Sequence, residues 1–136
     1  MFSSTAWLEK YADPYSDYNV EREVRKSVAW LEYIMRRSMM LREDMTLRVR
    51  GVKTMSMEAK RGWSEWESWT AGNIYFLSIV GSGAVGSSYE HSFSYSFQTL
   101  TPALTIYIFT GERGTRNSGW SITISARGLV RAEKTM

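Results

Sequence analysis

From Asn19 to about Arg42, apolar residues return at every third or fourth position: Val20, Val24, Val28, Leu31, Met35 and Met39. That period predicts an amphipathic helix with one apolar stripe. At about 100° per residue, Arg22, Lys26, Trp30, Tyr33 and Arg37 gather on a face roughly opposite. Two aromatics therefore sit among bases, either packed under another element or turned toward a partner. Beyond the helix the period drops to two. "MTLRVRGVKTMSM", 45–57, sets Met45, Leu47 and Val49 against Thr46, Arg48 and Arg50, a basic strand bent at Gly51. Ser56 is placed to cap a short helix through "MEAKRGWSEWESW", ended by "TAG". Trp63, Trp66 and Trp69, three apart, would belong to a core there.

From Asn73 onward the pattern predicts strands. "NIYFLSIV" is a compact apolar run and "GSGAVGSS" a glycine-serine connection. In "HSFSYSFQ", 91–98, Ser92, Ser94, Ser96 and Gln98 occupy one register while Phe93, Tyr95 and Phe97 fill the other. Leu104, Ile106 and Ile108 alternate with Thr105, Tyr107 and Phe109, "TGERGTRNSG" reads as a polar hairpin loop, and Trp120, Ile122 and Ile124 alternate with Ser121, Thr123 and Ser125. Successive strand side chains point to opposite faces, so two strands carry a face of short hydroxyls. The expected architecture is α+β: N-terminal helices packed on one face of a mostly antiparallel sheet whose other face carries Ser and Thr. One domain spans 1–136, with an N-terminal segment 1–18, a helical and basic part 19–70 and a sheet 71–128.

Composition narrows this further. The absence of cysteine excludes disulfides, thiolate metal sites and cysteine nucleophiles, and suits a reducing compartment. No run approaches a membrane span, and the first residues lack the pattern of a signal peptide, so the chain reads as soluble. The net charge of +3 is unevenly spread: residues 22–61 hold eleven bases against five acids, whereas 62–110 hold no base and three acids. A basic block beside a neutral aromatic block suits a polyanion partner, or else a solvated face.

Catalysis has little material. His91 opens a strand without a carboxylate or metal-ligand partner at characteristic spacing, Glu65 and Glu67 would diverge on a helix, and no phosphate loop, nucleophile elbow or zinc spacing occurs. A non-enzymatic role without metal or cofactor is expected. Binding is better supplied. Duplex RNA presents a wide, shallow minor groove lined with 2′-hydroxyls and phosphates, which short hydroxyl side chains can meet without reading bases. Arginines at the margin supply the phosphate contacts, and aromatics can stack on terminal bases.

These residues resemble the small RNA-silencing suppressors of tombusviruses and aureusviruses, which clamp double-stranded small RNA on a concave sheet. "GWSITIS" looks like the family's central Gly-x-Ser-x-Thr-x-Ser strand, which would put RNA contacts on Ser121, Thr123 and Ser125. Ser94 and Ser96 on the other hydroxyl strand, and Arg127 just beyond the central one, join that set. "ESWTAG" is similar to a Ser-Trp-Thr-Gly segment. "AWLEY" supplies Trp30 and Tyr33 at the spacing of the tryptophans that stack on duplex ends, with Trp63 and Trp66 of "WSEW" as the alternative pair. "LRVRGVK" matches the basic strand through Arg48, Arg50 and Lys53. The likeness covers residues 28–128 and implies a sequence-independent duplex RNA binder that sequesters small interfering RNA in the host cytoplasm or nucleus. It also implies a homodimer, although only "ARGLVRAEKTM" follows the last expected strand, little room for the family's dimerising C-terminal helix. The rival expectation is a small viral matrix-like structural protein that self-associates on anionic membrane.

Overall fold

No glycine or proline interrupts the chain from Asp17 to Leu41, and helix α1 (Asp17–Leu41) runs through that whole stretch. The computed structural model describes residues 17–50, 54–61, 65–80, 89–110 and 118–135. Within them α1 is followed by strands β1 (Met45–Arg50), β2 (Thr54–Arg61), β3 (Glu67–Val80), β4 (Tyr89–Ser96), β5 (Thr99–Thr101), β6 (Leu104–Thr110), β7 (Ser118–Ile124) and β8 (Val130–Lys134). The fold is α+β, with every strand pair antiparallel.

The helix ends as its sequence allows. Arg42 turns left-handed at φ 55°. Its N–H donates to Met39 O at 3.3 Å and that of Glu43 to Ser38 O at 3.1 Å, the paired bonds of a Schellman stop. The expected stripe is buried at Val20, Val24, Leu31 and Met35, joined by Ile34. Ser27 and Ser38 share the buried face, each hydroxyl donating to a carbonyl of its own helix, Val24 O at 2.6 Å and Ile34 O at 3.0 Å.

Strand order is β5-β4-β1-β2-β3-β6-β7-β8. In a flat sheet β5 and β6 would stand about 24 Å apart, five strand spacings, yet only Pro102 and Ala103 join them, a reach of about 11 Å. The sheet therefore rolls up. Its long strand β3 pairs with β2 through one half and with β6 through the other. A seam forms where Leu100 N–H of β5 donates to Ala126 O at 2.6 Å, beyond β7. The inner face of the roll carries Met45, Leu47, Val49, Met57, Phe93, Ile106, Ile108, Ile122 and Ile124 in one cluster with the helix stripe. Among the described strand hydroxyls, Ser92, Ser94, Ser96, Thr101 and Thr123 are exposed, away from that cluster.

Three expectations change. The expected helix through 57–69 is replaced, in its described residues, by strand: Met57, Ala59 and Arg61 are buried while Ser56, Glu58 and Lys60 are more open, a period of two that makes β2, and "ESWTAG" opens β3; 62–64 lie outside the described residues. The sheet thus begins at Met45, not near 71. Val130–Lys134 adds β8, held on β7 through Ile122↔Ala132 and its neighbours, so strand rather than tail follows the hydroxyl strand. Phe97 and Gln98 do not extend β4; at φ 48° and 62° they form a two-residue turn closed by the Ser96↔Thr99 pair, with both central φ positive as a type I′ turn requires. No helix of the described residues is long and apolar enough to cross a membrane.

Candidate nucleic-acid interface

Alternation along β4 buries His91 and Phe93 and exposes Ser92, Ser94 and Ser96. Directly opposite residues in antiparallel strands share a face, so the register extends this hydroxyl row. Ser94 faces Thr101 and Ser96 faces Thr99 on β5, while Ser92 faces Thr46 on β1, which faces Lys60 on β2. The result is a hydroxyl patch across three strands, on the order of 10 Å by 15 Å. Thr99 is partly committed, its Oγ1 donating to Ser96 O at 2.6 Å.

On β7 the expected set divides. Thr123 is exposed between Thr105 and Arg131, and Ser121 is half-buried between Tyr107 and Glu133. Ser125 lies past the end of β7 and holds the following turn: its Oγ accepts from Leu129 N–H at 3.1 Å, and its backbone N–H donates to Leu129 O at 2.8 Å. In strand order β4 and β7 are far apart, but the seam reunites them. Because Leu100 is bonded to Ala126, β5 stands between β4 and the end of β7, about two strand spacings or 10 Å from one to the other. Ser94, Ser96, Ser125 and Arg127 therefore gather about the seam, with Thr123 one step beyond; Ser121 lies farther along β7.

Arg48 is placed differently. Its guanidinium lies between Glu58 at 3.6 Å and Glu90 at 3.4 Å, its cross-strand neighbours on β2 and β4, and stacks 4.3 Å from the Trp66 ring. Two carboxylates offset one guanidinium, so this row offers a phosphate no net attraction. Arg50 ends β1 opposite Ser56; Lys53 and Trp63 lie outside the described residues. Arg127 and Arg131, by contrast, are exposed and bear no carboxylate partner among the described residues.

Trp30 and Tyr33 do not form one open platform, and of the alternative pair only Trp66 lies in the described residues. Trp30 packs against the core, whereas Tyr33 is exposed with Arg37 5.7 Å from its ring centroid. Trp66 is half-buried, flanked by Arg48 and, at 6.0 Å, by Lys60. His91 has a structural place. It is 9% exposed, packs edge-on to Phe93 at 4.5 Å, and through Nε2 donates to Pro102 O at 2.9 Å. Sequence reasoning missed Phe97, which is 97% exposed at its turn; the alternation that put it with Phe93 and Tyr95 ran one residue too far.

No family model matches the chain, and no curated protein or solved structure is significantly similar to it.

Proposed function

We propose that the protein binds double-stranded RNA irrespective of base sequence and so sequesters small interfering RNA, meeting the duplex on a convex face where the suppressors it resembles use a concave one. The observation that carries the proposal is the gathering of uncharged hydroxyls, Ser94, Ser96, Thr101 and Thr123, on one outer surface with Arg127 and Arg131 at its margins. A convex hydroxyl surface suits a wide, shallow minor groove, where it meets 2′-hydroxyls, and the flanking guanidiniums meet phosphates. Neither contact depends on base identity. The homodimer that the resemblance implies would form at β8, which among the described residues pairs with β7 alone.

The reading is tested by titrating two duplex RNAs of unrelated sequence and equal length over a range of salt. Similar affinities that fall steeply with salt are expected, because counterion release dominates binding that reads no bases. A strong preference for one sequence, or affinity indifferent to salt, would overturn it.

A further inference from the structure

Where α1 ends, large apolar side chains stand in water on three separate tips. Met40 is 76% exposed and Leu41 51% at the helix end, Phe97 is 97% exposed on the β4–β5 turn, and Leu129 is 69% exposed between β7 and β8. A groove lined by Met39, Met40, Arg42, Tyr95, Phe97 and Arg127 joins the first two tips and contains no carboxylate. A second groove shares Met39 and Arg127 and adds Arg36 and Leu129, with Glu32 on its flank. The tips and the arginines thus form one continuous surface. Nearby Asp44 is occupied by the Tyr95 N–H at 2.8 Å.

Local stability does not explain these side chains. Arg42 and Phe97 sit at φ 55° and 48°, positions where glycine or asparagine would be less strained, and both line the first groove. Arg25, Lys26, Arg48 and Arg61 are each paired with a glutamate, whereas Arg36, Arg42 and Arg127, like Arg22, Arg37 and Arg131, have no such partner among the described residues, and Arg36, Arg42 and Arg127 stand beside the apolar tips. Apolar tips interleaved with unneutralised guanidiniums are what an interfacial contact requires: side chains that enter the acyl boundary and cations that remain with the headgroups.

We propose that this end of the roll docks on an anionic lipid surface. A duplex would take the charge and could stack an end on Phe97, but three tips on separate elements cannot all meet base faces at once, and a rigid protein partner would need a separate pocket for each tip. A fluid acyl layer accommodates all three. The proposal does not depend on RNA binding, although this surface adjoins the hydroxyl patch, with Thr99 and Arg127 at the border of both.

The test is flotation of the full chain with vesicles of phosphatidylcholine and phosphatidylserine, against vesicles of phosphatidylcholine alone. Binding is expected to the anionic vesicles only. Phe97→Ser with Leu129→Ser should lower the partition coefficient about tenfold or more while leaving duplex RNA binding intact. Arg42→Gln with Arg127→Gln should lower it by about fivefold for each arginine. These side chains are exposed, so circular dichroism should report folded variants. Equal flotation with neutral vesicles, or undiminished flotation of the apolar variant, overturns the proposal. So does an apolar variant that floats unchanged but sediments as a smaller species, which would assign the tips to a second copy of the chain. Parallel loss of RNA binding in that variant would likewise overturn it in favour of nucleic acid.

Discussion

Four described residues in left-handed conformations, Gly128, Arg42, Phe97 and Gln98, divide sharply by side chain. Gly128 at φ 82° has room for a Cβ, which would meet Met39 Cγ at 3.6 Å and Met35 Cβ at 3.7 Å, ordinary contacts. Its requirement for glycine is therefore conformational, and Gly128→Ala is expected to lose about 1–2 kcal/mol in urea unfolding. Arg42, Phe97 and Gln98 occupy the same region without being glycine. Arg42→Gly is expected to gain about 1 kcal/mol by relieving the Schellman position, and Phe97→Asn with Gln98→Gly a similar amount at the type I′ turn. A fall in the urea midpoint for either would mean that the native side chain makes a stabilising contact the exposed geometry does not provide. Neither residue was legible as special in the sequence. Arg42 looked like one more base of a basic helix, and Phe97 continued a strand alternation that the turn cuts short.

Among the elements, the helix and strands β1, β4, β6 and β7 were legible because one face of each is buried and its period is uninterrupted. β2 and the start of β3 were not. Three tryptophans spaced by three imitate a helical face, while the true alternation rests on two modest residues, Met57 and Ala59, both buried against the core. Ala59→Glu is therefore expected to abolish cooperative unfolding by burying an unpaired carboxylate, while Lys60→Glu on the outer face stays folded; the reverse result would contradict the strand register. β8 has only Val130 and Ala132 on its inner side and owes its conformation to backbone pairing with β7, which composition does not announce. Arg48 shows the same limit at the site. Glu58 and Glu90 become its neighbours only through the pairing of β1 with β2 and β4. Arg48→Ala should consequently weaken duplex RNA binding less than Arg127→Glu, and each partly exposed pair it breaks is worth on the order of 1 kcal/mol. A gel shift lost with Arg48→Ala but kept with Arg127→Glu would reverse this assignment.

For the molecule as a whole, rolling the sheet decides what the sequence could only suggest. Alternation alone suggests a hydroxyl face on two strands, of which β4 exposes Ser92, Ser94 and Ser96 but β7 only Thr123; that β4 and β7 meet across β5 depends on a connection of two residues and one backbone bond between Leu100 and Ala126. Under the proposed reading, a duplex would therefore meet a convex surface. The central claim is that these hydroxyls meet the 2′-hydroxyls of RNA. It is tested most directly by the ratio of dissociation constants for duplex RNA and duplex DNA of equal length and sequence, at one salt concentration, for the native chain and for Ser94→Ala with Ser96→Ala and Thr101→Ala. Each neutral contact contributes about 0.5–1.5 kcal/mol. The triple variant should therefore lose about tenfold or more in RNA affinity, with little change for DNA and none in its melting transition. If the folded variant leaves the ratio where it was, the hydroxyl patch is a solvated surface and the RNA-binding account fails.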